Sequence, residues 1–368
     1  MVRANGVTDM ICKIDCYDLR LPLKVPYGNS LGILKEFTSI IVVMTDEKGR
    51  RGMGEGTPAQ PGYQHETPEG IWEFVCTEAK KLLGQSFEAA HNQILQQKKE
   101  YPFGATIFLT ALEELQDVPV LQVPSEGIQF PLVGIVNPPA NETLEEHLEK
   151  RLQEGYGTLK VKVGFELEKD IKKVKLIQDI VKERAMLRLD ANQGYTFDEA
   201  YKFTHSIDPY NIQLLEQPFT AGIWEPMQRL AEDSPLPLML DESIFDKDDV
   251  IKTGELNCAK YIKFKLMKSA SAVAMAEEMA IASKYGIDVL LGNGVAADIG
   301  CYHETLIGYN TNCWTAGEQN GYLKPTVSLF ANPLGFENGK LIIPPNYYPE
   351  LDEEVLQHYS RAQMHIGI

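Results

Sequence analysis

Positive charge is what this sequence is short of. Its 368 residues hold 35 Lys and Arg against 52 Asp and Glu, a formal net charge of −17. A surface of that sign repels nucleic acid and anionic membranes, so neither is expected as a partner. No apolar run reaches the ~18 residues of a membrane-spanning helix. The opening MVRANGVTDMICKIDC has no apolar core of signal-peptide length, so a cytoplasmic location is expected. The six cysteines are scattered. Cys12 and Cys16 stand four apart, but no second pair or histidine cluster completes a zinc pattern, and free thiols are expected. No GxGxxG follows a candidate strand, which weakens an open nucleotide-binding sheet as the architecture.

What is present is ordinary globular material, 44% hydrophobic and 24% charged. The length suits one barrel-sized domain plus a smaller one. Residues 9–56 read as antiparallel strands, with MICKIDCYDLRL and FTSIIVVMTDEKGRRGMGEG flanking the loop KVPYGNSLGI. Residues 68–120 read as helices, the first opened by Thr67 and Pro68. Residues 1–128 are therefore expected as an α+β domain. Beyond about residue 130, short apolar runs begin at 131, 158, 185, 211, 237, 260, 287 and 311, separated by helical stretches. Strands and helices alternating at that interval mean βαβ units and a parallel sheet. Eight such strands predict an α/β fold, a TIM-like barrel over 129–325. The tail 326–368, with GKLIIPP, is expected to return to the first domain.

The strand ends carry the chemistry. GTLKVKVG (157–164) alternates Leu159, Val161 and Val163 with Lys160 and Lys162. A strand covered on both faces tolerates inward lysines only if their charge is answered. The third, fourth and fifth strands end in Asp190, Glu216 and Asp241, one βα unit apart each time, and the sixth carries Lys263 and Lys265. A lone acid at a strand end is commonly a helix cap. Three in register at a barrel mouth, with lysines on both flanks, point instead to a cation between the acids. Hard oxygen ligands with room left for substrate suit Mg²⁺, with Mn²⁺ as an alternative. A partly desolvated lysine beside that cation is suited to act as a base near neutral pH.

These motifs resemble the enolase superfamily, in its muconate lactonising branch. The resemblance runs nearly the whole chain: GMGEG (52–56), KVKVG (160–164), DANQG (190–194), EQP (216–218), DES (241–243) and KLMK (265–268). It implies a (β/α)7β barrel with an α+β capping domain built from the N-terminal part and the C-terminal tail. It further implies Mg²⁺ on Asp190, Glu216 and Asp241, Lys162 and Lys265 on opposite faces of the substrate, and Lys160 beside its carboxylate. Loops 25–32 and 57–63, with Tyr27 and Tyr63, would close the mouth. Asn192, Asn293 and Glu318 are further candidate substrate contacts. LLGNG (290–294) lacks the histidine of the mandelate racemase branch, and His303 is expected on the following helix. CWTAGEQNG (313–321) lacks the Asp-x-Asp of dipeptide epimerases, while its Glu318 resembles the glutamate of cycloisomerases. KSAS (268–271) stands where relatives have Gly-Gly. The expected activity is a Mg²⁺-dependent isomerase of a small carboxylate, cycloisomerase or racemase, working through a metal-stabilised enolate in a homo-oligomer. A lyase or acid-sugar dehydratase and a non-catalytic binding protein are the alternatives.

Overall fold

The computed structural model describes residues 9–29, 32–58, 65–294 and 296–368. In the first part, β1 (Ile11–Asn29) and β2 (Gly32–Asp46) form a long antiparallel ribbon, joined by β3 (Arg51–Gly56). Three helices follow: α1 (Pro68–Leu82), α2 (Phe87–Leu95) and α3 (Pro102–Leu115). α1 starts where its sequence says it should: Thr67 Oγ1 accepts from Gly70 N at 3.1 Å, and Pro68 takes a first-turn position that needs no donor. α3 is buried on nearly every side and lies directly on β3. The glycines of GMGEG make this possible. A Cβ on Gly54 would sit 1.7 Å from the Ile107 carbonyl oxygen, and one on Gly52 would sit 2.1 Å from that of Ala111.

The parallel sheet is built from β5 (Gly134–Val136) to β11, after a short β4 (Ile128–Pro131). Its other strands are β6 (Thr158–Lys162), β7 (Met186–Asp190), β8 (Ile212–Glu216), β9 (Leu238–Leu240), β10 (Tyr261–Phe264) and β11 (Asp288–Leu291), paired in sequence order. Between them run α4 (Leu144–Gln153), α5 (Leu167–Val181), α6 (Phe197–Ser206), α7 (Trp224–Asp233), α8 (Lys247–Leu256), the short α9 (Leu266–Ser269) and α10 (Ala272–Lys284). Thr143 with Glu146, and Thr196 with Glu199, make capping boxes at the starts of α4 and α6. This is an α/β, TIM-like fold.

The expected eighth strand at 311–315 is corrected. α11 (Asp298–Asn310) ends there, with Thr311 N and Cys313 N donating to the carbonyls of Ile307 and Gly308. The apolar Cys313 and Trp314 that suggested a strand form the turn that stops this helix. Closure comes later: Gly317 N donates to Pro131 O (2.9 Å), Val133 N to Gly317 O (2.8 Å) and Glu318 N to Leu291 O (2.9 Å). This stave bridges the segment between β4 and β5 to the last strand of the sheet, β11, and carries Glu318 to Lys160 and Lys263.

Of the tail, β12 (Gly335–Glu337) and β13 (Lys340–Ile343) extend a small sheet with β4. After α12 (Glu353–Tyr359), β14 (Ser360–Gly367) pairs antiparallel with β1. Two buried acids of the first part reach the barrel helices. Glu55 accepts from Ala297 N (2.9 Å) and Gly300 N (2.8 Å) at the start of α11. Glu113 accepts from Ala272 N (2.7 Å) and Val273 N (3.3 Å) at the start of α10, and burial holds its carboxyl above the usual range. Helix starts in such a barrel lie at the mouth, so these caps seat the first part beside it. Among the described residues no helix is long and apolar enough to cross a membrane.

Gly54→Ala forces α3 off β3 and is expected to destabilise the protein by about 1–3 kcal/mol or more. Gly157→Ala, where an added Cβ meets nothing within 4 Å, serves as the control and stays within ~0.5 kcal/mol. Urea melts of the two variants check this.

Candidate active site

Along β6 every second side chain faces inward, and register with β7 sets Lys160 beside Arg188 and Lys162 beside Asp190. The next pairing sets Asp190 beside Glu216. Asp241 follows β9, and Lys265 follows β10, whose Lys263 points the same way. Beneath them Leu214, Met239 and Leu290 fill the interior. Gly292 stands at the end of β11, where any side chain would collide with the stems of both Lys263 and Lys265. The histidine missing there is thus replaced by space for two lysines.

The inward lysines are answered by acids. Lys160 Nζ lies 2.8 Å from Asp190, 3.0 Å from Glu216 and 2.7 Å from Glu318. Lys263, on the opposite wall, pairs with Glu216 and lies 2.7 Å from Glu318. Lys162 bonds Asp190 Oδ2 at 2.6 Å and also donates to Asn192 Oδ1. Lys265 bonds Asp241 Oδ2 at 2.8 Å. Lys268 donates to the carbonyl of Asp241 at 2.6 Å and lies over the Phe245 ring. The row Asp190, Glu216, Asp241 is therefore bracketed by Lys162 at one end and Lys265 at the other.

The charge states follow from this packing. Burial alone would lower Lys160, but Asp190, Glu216 and Glu318 outweigh it and hold its ammonium well above the ordinary value. Burial works against Asp190, Asp241 and Glu318 too, yet their lysines keep all three below the usual carboxylate range. Glu216 goes the other way: burial, then the Asp190 charge, push it up to about 7. Burial brings Lys268 down to about 8.

The sequence candidates do not all gather here. Lys160, Lys162, Lys265, Asp190, Glu216, Asp241, Asn192 and Glu318 form one network. Asn293 turns toward α11, donating to Glu304 Oε2 at 2.9 Å, with its oxygen accepting from Ala296 N. His303 lies on α11 and pairs with Glu114 at 2.8 Å, apart from this network. Tyr63 lies outside the described residues, as does the side chain of Tyr27, whose backbone pairs with Leu34 on the β1–β2 ribbon. Lys268 and Glu242, absent from the sequence candidates, join the network; KLMK and DES contain them, but neither lies at the inward spacing that marked the others.

The family profile of enolase C-terminal domain-like proteins matches residues 143–347. The N-succinyl-L-Arg/Lys racemase of Bacillus cereus is 26% identical over 96% of this chain and 98% of its own. Its crystal structure superimposes with a TM-score of 0.87 at 24% identity, covering 97% and 100% of the two chains. The chain belongs to the enolase superfamily, as an isomerase of its muconate lactonising enzyme-like subgroup. Two further structures share the fold. The muconate lactonizing enzyme of Pseudomonas fluorescens, complexed with muconolactone, gives a TM-score of 0.85 at 22% identity, covering 96% and 100%. The dipeptide epimerase of Cytophaga hutchinsonii, complexed with Mg and the dipeptide D-Ala-L-Val, gives 0.86 at 20%, covering 97% and 100%.

For an enolase-superfamily site the donor chemistry fits a divalent cation. Its acids are hard oxygen ligands at matching strand ends, and Lys160 already stands between two of them as a cationic partner. Glu216 Oε2 is buried at an ion-pair distance from Lys160 yet accepts no hydrogen bond. Among the described residues no group of three acidic, His or Cys side chains is disposed to hold a metal ion; Asp190, Glu216 and Glu318 stand around the Lys160 ammonium instead. Lys160→Met leaves buried acids without their shared cation and is expected to cost about 3–5 kcal/mol in chelator-treated protein, read from urea melts.

Proposed function

We propose that the protein is a Mg²⁺-dependent racemase or epimerase that moves the α-proton of a carboxylate substrate. The observation that carries this reading is the pair of lysines at the two ends of one row of acids, Lys162 on Asp190 and Lys265 on Asp241. Inversion at carbon needs a proton taken on one face and returned on the other, and two amines on opposite flanks supply both. Asp190, Glu216 and Asp241 would hold the Mg²⁺, which when bound supplies positive charge to stabilise the enolate. The remaining work falls to the chain. Lys160 stands within ion-pair distance of Asp190, Glu216 and Glu318, which hold its ammonium above the ordinary value, and it suits the task of holding a substrate carboxylate. Lys162 is the most exposed of the network lysines and so the one that meets substrate first. The racemase of Bacillus cereus supports an N-acyl amino acid as the substrate class. Residues 1–128 act as a capping domain, 129–325 as the catalytic barrel, and 326–368 returns to the cap, with the end of the β1–β2 ribbon closing over substrate; the loop expected at 25–32 is paired strand up to Asn29 and again from Gly32, and residues 59–63 of the second expected loop lie outside the described residues. The Glu55 and Glu113 caps and the β1–β14 pairing support that division.

The test uses N-acylated amino acids in D₂O. EDTA abolishes turnover, and Mg²⁺ or Mn²⁺ restores it; full activity in excess chelator overturns the metal assignment. Lys162→Ala and Lys265→Ala each cut turnover roughly 10²-fold or more. Each still exchanges deuterium into one enantiomer, and the two choose opposite hands. One indispensable lysine with no such split marks a lyase or cycloisomerase instead.

A further inference from the structure

Lys162 does not stand alone beside Asp190. Asn192 accepts from its ammonium through Oδ1, and the same amide donates through Nδ2 to Glu242 Oε1 at 3.0 Å. The turn that carries Asn192 is tightly held. Its own N–H donates to Asp190 Oδ1 at 3.0 Å, and the next N–H, of Gln193, donates to Gln217 O at 2.8 Å. Both residues take left-handed backbone, φ +40° at Asn192 and +68° at Gln193, a conformation kept only where its surroundings enforce it. Glu242 has a second peculiarity: its Oε2 is buried and accepts no hydrogen bond. A buried unpartnered acceptor costs stability, so this carboxylate is not there for stability alone.

The two ends of a primary amide have nearly the same shape, and only its partners decide which end faces which way. Glu242 Oε1 is the acceptor in this bond. It therefore takes the NH₂ end of Asn192 and turns the oxygen toward Lys162. We propose that Glu242 is a positioning residue that, through Asn192, fixes the direction in which Lys162 gives and takes its proton. An ammonium has three N–H groups, and two of those on Lys162 are engaged, one by Asp190 Oδ2 at 2.6 Å and one by Asn192 Oδ1. Those two acceptors fix two of the three directions about Nζ and leave the third for the proton that is given or taken. The Lys162 side chain is 38% exposed, against 7% for Lys265, so that direction opens to the mouth. Without Glu242 the Asn192 amide can flip, its NH₂ faces the amine, and the third direction is no longer fixed.

The catalytic consequence rests on the racemase reading; the orientation of Lys162 does not. The test therefore has two arms, on Glu242→Ala and on Glu242→Gln, which keeps an acceptor oxygen for Asn192. In D₂O, Glu242→Ala slows exchange in the hand that Lys162→Ala abolishes by about 10-fold or more and leaves the other hand unchanged, while Glu242→Gln restores it. Asp241 adjoins Glu242 in the chain, so damage to the acids themselves would slow both hands and weaken Mg²⁺ binding in calorimetry. Equal loss in both hands overturns the proposal. In the second arm, metal-free protein is treated with acetic anhydride and labelling at Lys162 is read by peptide mass spectrometry. Glu242→Ala changes that rate about threefold or more, the scale of one lost hydrogen bond, and Glu242→Gln does not. An unchanged rate in Glu242→Ala overturns the proposal whatever the exchange data show. A wild-type protein that exchanges only one hand overturns the racemase reading, and the labelling arm then decides the role of Glu242 by itself.

Discussion

The pairing of Lys160 and Lys263 with Glu216 and Glu318 is the interaction on which the barrel interior depends. Both lysines are buried, and a buried charge is tolerable only when matched. The match reaches across the barrel, from β6 to β10, and its acids come from β8 and the closing stave. The rest of the site accommodates this cross-link. Gly292 gives the lysine stems room. The apolar layer of Leu214, Met239 and Leu290 keeps water out from below. Asp190 and Asp241 then extend the row to Lys162, which is partly exposed, and to Lys265, which is buried.

The matching is not complete. Burial and the neighbouring Asp190 charge raise Glu216 to about 7, while the acids on either side of it stay ionised. Arg188, buried one step below, spends its Nε on Gln213 and leaves both terminal nitrogens without hydrogen bonds. The interior thus holds its charges in balance only around the lysines, and the least satisfied acid is the central one of the row.

Much of this was legible because it follows simple periods. Lys160 and Lys162 declare their common face by alternation, and Asp190, Glu216 and Asp241 declare theirs by recurring once per βα unit. The eighth stave was not legible. It pairs through only three backbone bonds around Gly317 and Glu318, too few to leave an apolar pattern, whereas Cys313 and Trp314 imitate one while ending a helix. Glu318 was found by resemblance, and its place between two lysines by structure alone. Glu55 and Glu113 were hidden for another reason. Their partners lie 242 to 245 and 158 to 160 residues away, and no local spacing announces a cap supplied from so far. Glu242 escaped because its effect passes through an amide whose orientation no sequence records.

The pairing of β1 with β14 places the first described strand of the chain beside the last. During synthesis β1 leaves the ribosome early, with β2 to cover one edge and nothing for the other. At the usual pace of translation its partner emerges roughly 20–70 s later. For that interval a strand bearing Ile14, Cys16 and Leu19 presents unpaired backbone to the cell, the arrangement that recruits stray strands from other chains. A chain cut short between Glu318 and Ser360 would carry every residue of the candidate site and an open sheet edge.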